Sequence, residues 1–252
     1  MNASMFMQRA HGRYMRFLTE NTYRRPFAMS NRVPYISFCF DDFPRSSLYE
    51  GGGILLRHGL RATYYASFGL MGGVAPTGEM FLPGDIKELL AAGHELGCHT
   101  FGHSDSWKTG AAAFEESILK NGRALTEVAP GAAFRSFSYP INCPRPGTKR
   151  MIGKYFSSCR NGCQTFNAGV ADMNLLKAFF LEKCRDNPGR IRDIIDRSNS
   201  ERGWLILATH DIGPAPTEYG CTPAFFEDVV RYAVGSGARI LPVAEALDEI
   251  RG

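Results

Sequence analysis

Tyr35-Ile36-Ser37-Phe38-Cys39-Phe40-Asp41-Asp42-Phe43-Pro44 is an apolar, β-rich run that stops abruptly in two carboxylates and a proline. Outward from it, similar runs recur: Ala62 to Phe68, Glu95 to Thr100, Phe134 to Tyr139, Ala178 to Glu182, Trp204 to Thr209 and Arg239 to Leu241. Helix-like segments separate them. Ser46 to Leu60 ends near Gly59, Pro83 to Ala92 carries Ile86, Leu89 and Leu90 at helical spacing, and Ala111 to Val128 is rich in Ala, Glu, Leu and Lys. Ile191 to Ser198 and Val243 to Ile250 follow the same pattern, and Thr222-Pro223 opens a helix as N-cap and first residue, with Phe226, Val229, Val230 and Ala233 on its apolar face. This alternation is the mark of a parallel sheet wrapped by helices, and about seven strands predict a distorted or incomplete (β/α) barrel. Ser157 to Gly169, rich in Gly and Cys, reads as a long loop.

The chain has 252 residues, 44% of them hydrophobic, enough for the core of one such domain. We expect an N-terminal arm over residues 1–30 and a catalytic domain over 31–252. The net charge of +4 is too mild to imply nucleic acid as a partner. Arg9, Arg13, Arg16, Arg24 and Arg25 break every apolar run near the start, so neither a secretory leader nor a membrane span is read there. Seven cysteines without a repeating framework read as buried or free thiols, and the expected location is the cytoplasm.

The chemistry gathers where strands end. Asp41 and Asp42 sit at a strand tip, the functional rim of a parallel barrel, and adjacent side chains diverge, so one carboxylate can bind a metal while the other accepts a proton. His99-Thr100-Phe101-Gly102-His103 puts two imidazoles four residues apart, a spacing that suits chelation from one face of a helical turn. Two imidazoles and a carboxylate leave coordination positions open, as a catalytic site requires. His210 closes a third strand, and imidazole is the side chain best suited to proton donation near neutral pH. His11, His58 and His94 fall in the arm or at helix positions and read as surface or packing residues.

CFDDFP, HTFGH, FSYPIN and ILATH, in that order, together with RATYY, TPAFFEDVVRYAV and GARILPVAEAL, resemble the polysaccharide deacetylase family from about Pro34 to the C-terminus. The resemblance implies Asp41 as general base, Asp42, His99 and His103 as ligands of a divalent metal, usually zinc with Co2+, Ni2+ or Mn2+ accepted, and His210 as general acid. It implies that the backbone N–H of Ile141 stabilises the oxyanion. The implied partner is an N-acetylated carbohydrate, with Tyr139, Trp107 and Arg135 as substrate-binding residues. Alternatives are hydrolysis of a small cyclic or linear amide, and carbohydrate binding without catalysis. The sequence departs from the family at Phe43, where glycine is common, and at Ser138, where an arginine is usual; Arg135 is its expected substitute and Asp172 the expected acidic residue of the fourth motif. Ala208 stands where a leucine often lines the acetyl pocket. Cys39 and Cys98 are expected to point away from the site.

Overall fold

The computed structural model describes residues 3–141 and 143–252, with side chains from residue 12 onward. Eight parallel strands form one sheet: β1 (Tyr35–Phe40), β2 (Thr63–Ala66), β3 (Glu95–Cys98), β4 (Ser136–Ser138), β5 (Ser158–Gly162), β6 (Leu176–Phe180), β7 (Trp204–Thr209) and β8 (Arg239–Ile240). The first seven pair in sequence order, and β7 returns to β1 over its full length, from Trp204 against Tyr35 to Thr209 against Phe40. That pairing closes a barrel of seven parallel strands. The eighth is the distortion: β8 pairs with Tyr35 and Ile36 at the start of β1, whereas β2 pairs with Cys39 and Phe40 at its end.

Seven strands agrees with the number of apolar runs, through two differences. The expected loop Ser157 to Gly169 contains β5, and the last run supplies only the two-residue β8. The residues of β5, Ser-Cys-Arg-Asn-Gly, are nearly all polar because their inward positions serve the site, so no apolar run announces the strand.

Alternation along the strands separates two cores. Ile36, Phe38, Phe40, Leu205 and Leu207 face outward, against Ile54 and Leu55 of α2 (Gly53–Arg57), Ile86 and Leu89 of α3 (Pro83–Ala91), and Leu125 of α4 (Ala111–Val128). Tyr35, Cys39, Tyr65, Ala178, Trp204, Ile206 and Ala208 fill the inside, where the Trp204 indole N–H donates to the Ser37 hydroxyl at 3.0 Å. Later come α5 (Pro146–Ile152), α6 (Gly189–Ser200), α7 (Pro223–Gly235) and α8 (Val243–Arg251). Thr222 caps α7 by accepting from the Phe225 N–H, as its place before Pro223 implies. Cys98 packs outside the barrel with Phe114 and Ile118, as expected, but Cys39 does not turn away from the site: two residues before Asp41, it shares that residue's inward face. All seven cysteines are free thiols. No described helix is long and apolar enough to cross a membrane.

The N-terminal segment contains a helix, α1 (Ala3–Asn21), which packs against α5. The Thr19 hydroxyl donates to Pro144 O at 2.7 Å, and the buried Lys149 ammonium donates to Thr19 O and Thr22 O at 2.7 and 2.9 Å while pairing with Asp172 at 2.6 Å. A cation at these carbonyls serves the C-terminal end of a helix well.

Candidate active site

The strand tips hold the site because the ladder continues one residue past each strand. Asp41 N–H donates to Thr209 O at 2.9 Å, His99 N–H to Ala66 O at 3.1 Å and Tyr139 N–H to Arg160 O at 3.1 Å. The chain then turns sharply. Asp42, Phe43, Thr100, His103 and Ile141 all take left-handed backbone angles, with φ of 62°, 62°, 62°, 49° and 66°. Such conformations are costly for non-glycine residues and concentrate at functional sites. They also correct the expected geometry of HTFGH: no helical turn brings His99 and His103 together, but a loop bent at Thr100 and His103 does, leaving the rings 5.1 Å apart.

Asp42, His99 and His103 converge so that one ligand atom from each lies within 4.8 Å of the others. Asp42 Oδ1 stands 3.5 Å from His99 Nε2 and 3.1 Å from His103 Nε2, and Oδ2 accepts from the Thr77 hydroxyl at 3.1 Å. His99 Nδ1 lies 2.8 Å from Ser138 O, an acceptor only, so Nδ1 carries the proton and Nε2 presents its lone pair to Asp42. Burial pushes the His99 imidazole down to about 4, against the opposing pull of Asp41 and Asp42, which keeps it in the neutral form a metal requires. Oδ1 of Asp42 is buried without a hydrogen-bond donor. A buried carboxylate oxygen facing two imidazole lone pairs is short of a cation, and the donor set fits a divalent ion.

Asp41 diverges from Asp42, as neighbours do, and meets the guanidinium of Arg160, which is itself buried and lies 4.4 Å from the centre of the Tyr65 ring. Burial alone would raise the Asp41 carboxyl, but Arg160, with His99 and His210, outweighs it and holds the group below the usual carboxylate range. Sequence reasoning missed Arg160 because it lies on the strand read as a loop. Arg135, the expected substitute for the arginine that Ser138 replaces, instead pairs with Asp248 at 2.6 Å on the exposed side of the barrel. Asp172 is bound to Lys149 and to the Arg25 N–H, outside the cleft lining.

His210 stands 5.8 Å from the Phe180 ring in a stacked arrangement and 5.6 Å from Tyr219, and its Nδ1 meets Tyr219 O at 3.2 Å. That carbonyl leaves Nε2 as the ring atom free for proton exchange. Asp211 fixes the loop by accepting from the Thr217 N–H and hydroxyl at 2.8 and 2.6 Å. Glu182, in the turn after β6, lines the same cleft; burial raises its carboxyl to about 7 despite the opposing influence of His210. The sequence reading runs its fifth strand, Ala178 to Glu182, through this residue and gives it no role.

These groups line one cleft of about 490 Å³. Tyr139 and the exposed Ile141 are on its wall, the tyrosine with its hydroxyl donating to Asn174 O at 3.0 Å. Trp107 is outside the lining: its indole N–H donates to Cys143 O at 2.7 Å and braces the loop that carries Ile141. Phe43 is fully buried and stacks on Phe81 with ring centres 4.8 Å apart, so it belongs to the outer core and not to the pocket rim.

A family model described as polysaccharide deacetylase matches residues 29–150. No curated protein sequence matches the chain. Among solved structures, a chitin deacetylase from the fungal pathogen Colletotrichum lindemuthianum is similar at 16% identity and a TM-score of 0.61, over 87% of this chain and 89% of that one. A family 4 carbohydrate esterase from Streptomyces lividans, in complex with acetate, is similar at 19% identity and a TM-score of 0.57, over 84% and 93%. A CE4 family pseudoenzyme from Bacillus anthracis shares the fold at 12% identity and a TM-score of 0.59, over 87% and 67%.

Proposed function

We propose that this chain is a member of the polysaccharide deacetylase family, whose model matches residues 29–150, and that it is a metal-dependent hydrolase removing the acetyl group from an N-acetylated sugar. The observation that carries the reading is the pair of adjacent carboxylates with separate partners: Asp42 turned to two imidazoles, and Asp41 ion-paired to a buried arginine in the same cleft.

Asp42, His99 and His103 would hold the ion, with zinc suited to two nitrogens and one oxygen. Bound there, a divalent cation supplies polarisation of the amide carbonyl and a water of lowered pKa. Asp41 accepts the proton of the water that attacks the carbonyl carbon, and Arg160 keeps it ionised for that task. The Ile141 N–H, turned by a left-handed backbone, is the donor for the developing oxyanion. His210 gives its Nε2 proton to the nitrogen as the C–N bond breaks, leaving acetate and a free amine. The apolar part of the wall, Leu70, Ala75 and Pro76, suits a methyl group.

Acetate release from N-acetylated sugars by protein stripped of metal and reloaded with zinc tests the reading. Release that depends on zinc and is abolished by Asp41→Asn supports it. Hydrolysis of a ureide or imide without acetate release would put a small-amide hydrolase in its place, and inertness of the zinc-loaded chain on both classes would leave a binding protein.

A further inference from the structure

Two cations stand in the cleft without a task in this chemistry. Arg16 of α1 and Lys183, in the turn after β6, both line it and both are solvent-exposed. Neither forms a salt bridge with a described residue, in contrast to Arg57, Arg135 and Arg239, each of which holds a surface carboxylate. Lys183 is steered inward, its ammonium 5.4 Å from the Phe180 ring that also stacks on His210. Arg16 is delivered by a clamp: one turn further along α1, Thr19 is bonded both to Pro144 and to the buried Lys149. The remaining charges of the lining are committed elsewhere. Asp41 is neutralised by Arg160, Asp42 faces His99 and His103, and Glu182 is largely buried and faces the field of His210. Among the residues that line the cleft, the charge offered to solvent is therefore positive on two sides. A neutral sugar hydroxyl gains little from a guanidinium and an ammonium, whereas a phosphate or carboxylate forms charge-assisted hydrogen bonds with both.

We propose that Arg16 and Lys183 form an anion-recognising wall, and that the substrate is an N-acetylated amino sugar bearing a phosphate or a carboxylate. The inference rests on the deacetylase reading for the word substrate, but the wall itself does not.

Acetate release by the zinc-loaded chain is compared for N-acetylglucosamine, its 1-phosphate and N-acetylmuramic acid; the last two distinguish phosphate from carboxylate. The expected kcat/KM for one of the charged sugars exceeds that for the neutral sugar by about 10-fold or more, and Arg16→Gln or Lys183→Gln lowers that ratio chiefly through KM, with Arg16→Lys restoring part of it. Calorimetry on zinc-free protein supplies a second readout, with glucosamine and glucosamine 1-phosphate as probes. The phosphate is expected to bind more tightly, and each glutamine variant to lose the difference. Equal handling of charged and neutral sugars, or a preference that both variants retain, overturns the proposal. Selective, variant-sensitive binding of the charged probe without acetate release from any sugar overturns the deacetylase reading and leaves the wall in place.

Discussion

Arg160 and Asp41 are 119 positions apart in the chain, yet they form a buried ion pair across the mouth of the barrel, from β5 to the end of β1. Removing one partner leaves an uncompensated buried charge, a loss that typically costs about 3–5 kcal/mol. Arg160→Gln is therefore expected to lower the thermal midpoint and to reduce kcat by at least about 10-fold, because Asp41 would gain affinity for the proton it must give up between turnovers. Arg160→Lys keeps the charge and should recover part of the stability. Melting curves and initial rates on the same preparations check both statements.

The two adjacent carboxylates are expected to separate cleanly by mutation. Asp42→Ala and His103→Ala should each weaken zinc binding by about 10-fold or more, since each deletes a ligand from a set of three. Asp41→Asn should retain zinc while losing turnover. Equilibrium dialysis of all three beside the parent decides this, and loss of zinc in Asp41→Asn would contradict the division of roles.

Glu182 carries a pH signature. Its carboxyl is raised from 4.5 to about 7 by burial, so the folded chain prefers it protonated. The contribution to stability is full below pH 4.5 and is lost as pH climbs through about 7; the 2.5-unit separation corresponds to roughly 3 kcal/mol. Glu182→Gln cannot ionise. In the metal-free state the variant is expected to gain thermal stability relative to the parent between about pH 5 and pH 8, and an unchanged difference across that range would rule the assignment out.

His94 sets the opposite slope. Buried behind Tyr64, its Nδ1 accepts from the Ala62 N–H at 3.0 Å, and burial, with Arg61 nearby, lowers its pKa from 6.5 to about 4. A depressed pKa means stability present above pH 6.5 and lost as pH falls through about 4, again roughly 3 kcal/mol over the full interval. Chemical denaturation from pH 7 to pH 4 should show this loss. His94→Asn, without a titrating group, should flatten it.

The sequence made Asp41, Asp42, His99, His103 and His210 visible because each is a polar interruption at the end of an apolar run, and the structure brings all five to one cleft. Arg160 and Glu182 were hidden for a related reason. β5 gives its inward positions to Ser158, Arg160 and Gly162, so the strand that serves the site most directly has the weakest hydrophobic signature. Glu182 follows directly on an apolar stretch, and nothing local marks where β6 ends and the turn begins. Spacing alone also misjudged HTFGH, because a four-residue separation fits a helical turn as well as a kinked loop and only the left-handed angles at Thr100 and His103 decide between them. The resemblance to a family pointed to a missing arginine but looked for it nearby, at Arg135; a closed barrel makes residues more than a hundred positions apart immediate neighbours.

Closure of the ring by β7 against β1 has a consequence for how the protein is born. Asp42, His99 and His103 lie within the first 103 residues, whereas Arg160, Glu182 and His210 belong to the second half of the chain. A ribosome delivers the half with the candidate ion ligands first, and the long-range register of β7 on β1 forms only after Thr209 has emerged. Under the proposed function, ion capture and proton donation thus have separate birthdays: Asp42, His99 and His103 emerge early together with Asp41, whereas Arg160 and His210 join them only once the circle is complete.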